Sequence, residues 1–192
     1  MNNQDYYYQL AVLHQENLEQ SFLSSLGINF LSLLYKEIDE DKESVVISER
    51  KDNQVIAFVS GTDGIGRIYK NLLLRPHLLI YTLKSVFKSP SKMHKVLELL
   101  LNSFLKNKTT NLPNHELLSI VVNPAFQGEG CAEILFNRLC DYFKKKNVKS
   151  FKIIVGGNLT RANAFYKKMG AMSIKTIQVH KGVDSTIYIK QI

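Results

Sequence analysis

Much of what excludes function classes in this 192-residue chain is missing from it. There is no run of about 18 or more apolar residues, so no membrane-spanning helix is expected. The first residues, MNNQDYYYQL, lack the basic region and apolar core of a secretory leader. Cysteine is scarce. Cys131 and Cys140 fall in one predicted helix, face different ways, and cannot be joined without breaking it. Reduced thiols in a cytoplasmic protein are the expectation. The five histidines show no paired metal-ligand spacing, so no metal is expected. No basic stretch is interleaved with aromatics, which argues against nucleic acid as a partner. Internal repeats and low-complexity tracts are absent too, and the length suits a single domain over 1–192 with its own core.

What is present is an ordinary globular composition, 45% hydrophobic and 22% charged, with a formal net charge of +8. That balance favours an anionic partner such as a phosphorylated ligand, although it also serves solubility. The densest basic cluster, Lys144-Lys145-Lys146, lies near a predicted helix C-terminus, where cations are favoured anyway.

Hydrophobic periodicity predicts a first strand at 6–13 (YYYQLAVL) and two helical stretches after it. Leu18, Phe22 and Leu26 mark the first helix, which Gly27 breaks; Phe30, Leu33, Leu34 and Ile38 mark the second, with Asn29 as its N-cap. Residues 44–62 read as a hairpin turning at Asp52-Asn53. The stretch 67–111 reads as a helical pair, its second member marked by Met93, Val96, Leu97, Leu100, Leu101, Phe104 and Leu105. Then come a strand (116–122), a glycine turn, a helix (129–146) with Ala132, Leu135, Phe136, Leu139 and Phe143 on one face, and a strand (150–155). A helix carrying Ala162, Phe165, Tyr166 and Met169 follows, with Gly170 as its C′ residue, and the chain ends in a hairpin turning at 181–184. The order β-αα-β-β-(αα)-β-α-β-α-β-β predicts an α/β fold. Its sheet is mixed, mostly antiparallel and of about seven strands, has one parallel pair across the strand-helix-strand unit, and carries helices on both faces.

The glycine turn carries the chemistry. Residues 117–132, LLSIVVNPAFQGEGCA, place Gly128 and Gly130 between a strand and a helix mouth. Unpaired N–H groups and the helix dipole make such a turn an anion site. It is not a dinucleotide fingerprint, because the third glycine is missing, and not a nucleotide P-loop, because no Gly-Lys-Ser/Thr follows. Downstream, NLTRANAFYKKMGA (158–171) adds Asn158, Ala162, Phe165-Tyr166 and Gly170-Ala171.

Together the two segments resemble the GNAT acetyltransferase superfamily, small-molecule type. Its Arg/Gln-x-x-Gly-x-Gly/Ala pattern stands here as Gln127-Gly128-Glu129-Gly130-Cys131-Ala132. Ala171 departs from the aromatic usual in that family after the glycine. The resemblance implies acetyl-coenzyme A as co-substrate, with its pyrophosphate on the amides of 128–132. It implies the pantetheine arm along Ile120, Val121 and Val122, and side-chain contacts from Asn158 and Asn163. It implies Tyr166 as general acid, the Val122 N–H as oxyanion donor, and a carboxylate at the position of Glu116 as base, with Ser119, His115 and His180 as further candidates. Cys131 is expected to be a small residue of the turn rather than a nucleophile. Arg161 and the lysines at 144–146 and 167–168 are within the reach expected of a 3′-phosphate contact. The expected reaction is direct acetyl transfer to a primary amine of a small molecule. The serines and Asn29 around Gly27 suit a hydroxyl-rich acceptor such as an amino sugar. Protein N-terminal or lysine acetylation, and a non-catalytic acetyl-coenzyme A sensor, remain open at this level, as does a homodimer formed through 67–111.

Overall fold

The computed structural model describes residues 3–19, 21, 23–75, 112–180 and 183–192. Six strands form one sheet: β1 (Ser44–Lys51), β2 (Gln54–Thr62), β3 (Glu116–Val122), β4 (Ser150–Gly156), β5 (Met172–His180) and β6 (Val183–Gln191). Their order is β1-β2-β3-β4-β6-β5, and only β3 and β4 run parallel. The described helices are α1 (Asn3–Asn17), α2 (Ile28–Glu40), α3 (Ile65–Leu73), α4 (Cys131–Lys145) and α5 (Thr160–Lys168). The mixed, largely antiparallel sheet expected from the sequence is therefore present, with six strands among the described residues rather than seven.

The missing strand is the first. Residues 6–13 belong to α1, not to a strand. The tyrosine run suggests a strand by propensity. However, Tyr7 is buried and Tyr8 half-exposed, and the buried set Tyr7, Leu10, Ala11 and His14 recurs every three to four residues, the period of a helix face. The helix expected from Leu18 to Leu26 is instead a turn and a short 3-10 turn, Ser24–Leu26. Serine side chains take over the local backbone there: Ser24 N–H donates to Ser21 Oγ (3.1 Å), and Ser24 Oγ donates to the Leu18 carbonyl (2.7 Å). The position of Phe22 lies outside the described residues. The N-cap of α2 is Gly27 at φ 88°, not Asn29, which lies inside the helix.

Other elements match their sequence signals. Asp52 (φ 48°) and Asn53 (φ 65°) supply the two left-handed residues of a tight hairpin turn between β1 and β2. The α4 stripe of Leu135, Phe136, Leu139 and Phe143 is fully buried. α3 opens the stretch read as a helical pair; the remainder of that reading, 76–111, lies outside the described residues, as does the final turn at 181–182.

The sheet separates two cores. On one face α1, α2 and α3 enclose Leu10, Phe30, Leu31, Leu34, Tyr35 and Phe58. On the other, α4 and α5 enclose Leu135, Phe136, Phe143, Phe151, Tyr166 and Tyr188. α4 lies very close to β2: a Cβ added at Gly61 would stand 2.7 Å from Leu139 Cδ1, so any larger residue there would have to displace Leu139 and Phe143.

Candidate functional site

The site is built where β3 and β4 part. The two strands pair at Glu116↔Lys152 and Leu117↔Ile153, and the pairing goes no further. Beyond that point β3 stays on β2 while β4 diverges. A bulge prepares the divergence: Ser60 faces Ser119 and Gly61 faces Leu117, leaving Leu118 as the extra residue. The bulge also re-aims the side chains. Leu117 packs with the α4–α5 core, whereas Val121 packs with the α1–α3 core, although simple alternation would put them on one face.

Past the bulge the backbone divides its hydrogen bonds. Asn123 N–H donates to the Ile56 carbonyl (2.8 Å), and Val121, two residues earlier, faces β2 in the same way. The backbone groups of Ile120 and Val122 point into the gap. Of the three residues expected to line a pantetheine arm, Ile120 thus turns its amide and carbonyl to the gap and Val122 its amide, whereas the backbone groups of Val121 face β2. Gln127 Nε2 already donates to the Val122 carbonyl (3.2 Å), which leaves the Val122 N–H facing the gap.

The turn after β3 is shaped by local hydrogen bonds. Asn123 Oδ1 accepts from Ala125 N–H (3.0 Å) and starts the short 3-10 turn Pro124–Phe126. Gly128 (φ 88°) and Gly130 (φ 82°) then adopt left-handed conformations, and α4 begins at Cys131. The N-cap is Gly130, which has no side chain to offer, so the first N–H groups of α4 meet no cap. Successive left-handed glycines ending in a helix N-terminus form an anion-accepting concavity. Atoms added at the Cβ positions of Gly128 and Gly130 would meet nothing within 4 Å, so the concavity is open on its outer side. Glu133, the third residue of α4, accepts its own N–H, and this bond with Lys168 of α5 (3.0 Å) holds its carboxyl below the usual range.

Tyr166 is buried against Phe136, Phe165 and Tyr188. Burial pushes its hydroxyl pKa up, so the phenol stays protonated. Its hydroxyl meets no hydrogen-bond partner among the described residues. Glu116 lies at the closed end of the gap, 3.3 Å from Lys152 Nζ, and burial raises its pKa more than Lys152 lowers it. His115 points to the opposite face, as strand alternation predicts, with Nδ1 3.6 Å from Asp63 and its ring edge-on to Phe143. Ser119 is not free to orient anything in the gap: it is buried and bonded to Tyr35.

Asn163, expected as a cofactor contact, has its amide fully engaged within the protein. It donates to the carbonyls of Gly156 (3.0 Å) and Leu159 (2.9 Å) and accepts from Tyr188 (2.8 Å), clamping the start of α5 to β4 and β6. Asn158 is exposed, with its Oδ1 against Gly156. Both cysteines are free thiols; Cys131 opens α4, and burial raises Cys140 to about 11. Lys146 is spent on Glu43, and Arg161 and Lys167 are exposed. His180 ends β5, and its side chain lies outside what the structure describes. Among the described residues no three His, Cys, Asp or Glu side chains gather, and no described helix is long and apolar enough to cross a membrane.

A second feature lies beside the serines around Gly27. The end of α1 and the start of α2 enclose a cleft of about 340 Å³ lined by Val12, Gln15, Glu16, Glu19, Ser24 and Ile28. Gln15 Oε1 is buried there with no hydrogen-bond partner among the described residues. Reading 6–13 as a strand hid this arrangement; the helical period of Tyr7, Leu10, Ala11 and His14 was the signal that could have found it.

Residues 8–171 match the Acetyltransferase (GNAT) family. The chain belongs to that family. With it comes the family's activity, acetyl transfer from acetyl-coenzyme A. Solved structures agree in fold. The PaiA N-acetyltransferase of Thermoplasma acidophilum, in complex with coenzyme A, superposes at a TM-score of 0.61 with 11% identity, over 98% of this chain and 94% of that one. The protein smu.2055 of Streptococcus mutans gives 0.58 at 14% identity, over 100% and 96%. NAA60 of Arabidopsis thaliana, in complex with acetyl-CoA, gives 0.52 at 15%, over 84% and 83%. No curated protein matches the chain.

Proposed function

We propose that this GNAT protein moves an acetyl group from acetyl-coenzyme A directly to a primary amine of a small molecule. The observation that carries the reading is the continuity of two backbone features. The gap edge at Ile120 and Val122 leads directly into the left-handed glycine turn and the uncapped start of α4. A strand edge suits the amides of a pantetheine arm, and the turn suits a pyrophosphate. A net charge of +8 suits a multiply charged anion. The relatives solved with coenzyme A or acetyl-CoA support the same reading.

Bound acetyl-coenzyme A would supply a thioester carbonyl and a thiolate leaving group. The Val122 N–H donates to the carbonyl oxygen as negative charge develops on it. Tyr166, kept as a neutral phenol, donates the proton that the thiolate needs. Glu116 takes the proton from the incoming ammonium, directly or through water. Its raised pKa brings it closer to neutral pH, where a general base works best. Gln127 holds the Val122 carbonyl, Glu129 and Cys131 contribute amides to the turn with Gly128, Gly130 and Ala132, and Asn158 stands at the rim.

The α1–α2 cleft gives the acceptor side its chemistry. Glu16 and Glu19 favour a cation, and Gln15 Oε1 is an unused acceptor. An amine that also carries hydroxyl groups, such as an amino sugar, fits this lining.

Thiol release from acetyl-coenzyme A, measured with amino sugars, polyamines and short peptides, tests the reading. Amino sugars are expected to give the highest kcat/KM, and Tyr166→Phe is expected to lower turnover with little change in cofactor affinity. Preferred turnover of peptides would replace the small-molecule reading. Tight cofactor binding without turnover of any amine would make the protein a sensor.

A further inference from the structure

A continuous line of side-chain hydrogen bonds crosses the α1–α2 layer from β3 to the connection between those helices. It starts at Ser119, just past the bulge, whose side chain is hydrogen-bonded to Tyr35. The Tyr35 hydroxyl lies 2.5 Å from His14 Nδ1. On the other side of the ring, His14 Nε2 is 3.3 Å from Ser21 Oγ. Ser21 Oγ is 2.8 Å from Ser24 Oγ, which donates to the Leu18 carbonyl at 2.7 Å. Ser119, Tyr35, His14 and Ser24 are all buried.

The ends of the line fix its direction. The Leu18 carbonyl can only accept, so Ser24 donates outward and accepts from Ser21. Ser21 then accepts from His14, which places the imidazole proton on Nε2. Nδ1 is left as the acceptor for Tyr35, and Tyr35 accepts from Ser119. Every donor points the same way, and the histidine is neutral in a single tautomer. A cut at Tyr35, His14 or Ser21 leaves a buried polar atom without a partner, and a cut at Ser119 removes the bond that Tyr35 accepts.

Both ends belong to the reaction as proposed above. Ser119 precedes Ile120, the first residue with backbone groups in the gap. Ser24 lines the cleft that also holds Gln15, Glu16 and Glu19. We propose that Tyr35 and His14 are positioning residues that hold the 21–27 wall of the amine cleft in register with the bulged strand, and thereby set acceptor specificity. Neither residue lines that cleft, so they act through Ser24 and Ser119. The specificity half of this inference rests on the proposed acetyl transfer to an amine; the coupling half does not.

The test uses Tyr35→Phe, which keeps the ring in edge contact with Phe58, and Ser119→Ala. Hydrogen exchange is read first, since it needs no substrate. In both variants the amides of 23–27 are expected to exchange about tenfold faster, the equivalent of one lost hydrogen bond, with the β1–β2 hairpin unchanged. The double variant is expected to be no worse than either single one, because either cut breaks the same line. Unchanged exchange at 23–27, or strictly additive effects, would overturn the coupling whether or not any amine is acetylated. Steady-state kinetics follow with the amine giving the highest rate in wild type. KM for that amine is expected to rise about fivefold to tenfold, while KM for acetyl-coenzyme A stays within about twofold. Faster exchange with an unmoved amine KM would overturn the specificity role. If wild type acetylates no amine, the proposed function fails and takes the specificity role with it, while the exchange data still decide the coupling.

Discussion

The two faces of the sheet solve different problems with different materials. The α4–α5 face is hydrocarbon and aromatic: Phe136, Phe143 and Phe151 stack around Leu135, Leu139 and Tyr188, and all are fully buried. The α1–α3 face carries buried polar groups: His14, Ser24, Glu37 and Ser119, with Tyr35 bonded among them. Ion pairs hold its rim, Arg67 on Asp41 (2.8 Å) and Arg75 on Glu37 (2.6 Å). The dry face supports the turn and strand assigned to the cofactor, which offer backbone groups and need a rigid frame. The polar face borders the α1–α2 cleft proposed for the amine. In that proposal generic recognition is left to the backbone, and particular recognition to polar side chains.

The comparison breaks most severely on the dry side. Phe143→Ala removes a ring packed on Phe151 and His115 and is expected to cost about 3–5 kcal/mol in urea unfolding. A loss of less than about 2 kcal/mol would mean that this core relaxes easily and is not the rigid frame described.

On the polar side the sensitivity is to acid. Burial lowers His14 from 6.5 to about 4, so between those values the unfolded chain binds more protons than the folded one. Stability therefore falls as pH drops from 6.5 towards 4, by about 3 kcal/mol from this group. Urea titrations of wild type and His14→Gln across that range check it: the variant is expected to lose that much less. Parallel curves would show that His14 is not held neutral.

Next in size is Gly130→Asp. The added Cβ meets open space, but the left-handed φ of Gly130 strains a side chain by about 1 kcal/mol, and a carboxylate at the turn competes for the same amides. Coenzyme A affinity is expected to fall about a hundredfold, or roughly 2.7 kcal/mol, by calorimetry, more than the strain costs in unfolding. Normal affinity would move the phosphate site elsewhere. The smallest effect is at the border of the two faces. Lys152→Met removes the charge that lowers the Glu116 pKa, so the acid limb of kcat/KM is expected to move up. An unmoved limb would remove Glu116 as the base.

The same division explains what could be read in advance. The α4 stripe, the strands at 116–122 and 150–156, and the turn around Gly128 and Gly130 were legible because period and glycine spacing are local signals. The acceptor side was not. Tyr7 and Tyr8 look alike in a list of strand formers and differ only once α1 has a buried side. The bulge at Leu118 moves Ser119 to the other face through its register with β2, which no stretch of β3 alone announces. Asn163 shows a second limit of local signals: its sequence position suggests a ligand contact, and only the fold shows its amide closing α5 onto Gly156 and Tyr188.

The gap at Ile120 and Val122 and the turn at 128–132 are proposed to form one coenzyme A site. Backbone amide NMR shifts during a titration with coenzyme A test it most directly. The largest changes are expected at Ile120, Val122 and residues 128–132. Changes confined to another surface, such as the groove lined by Thr160, Lys167, Lys175 and Thr186, would contradict it.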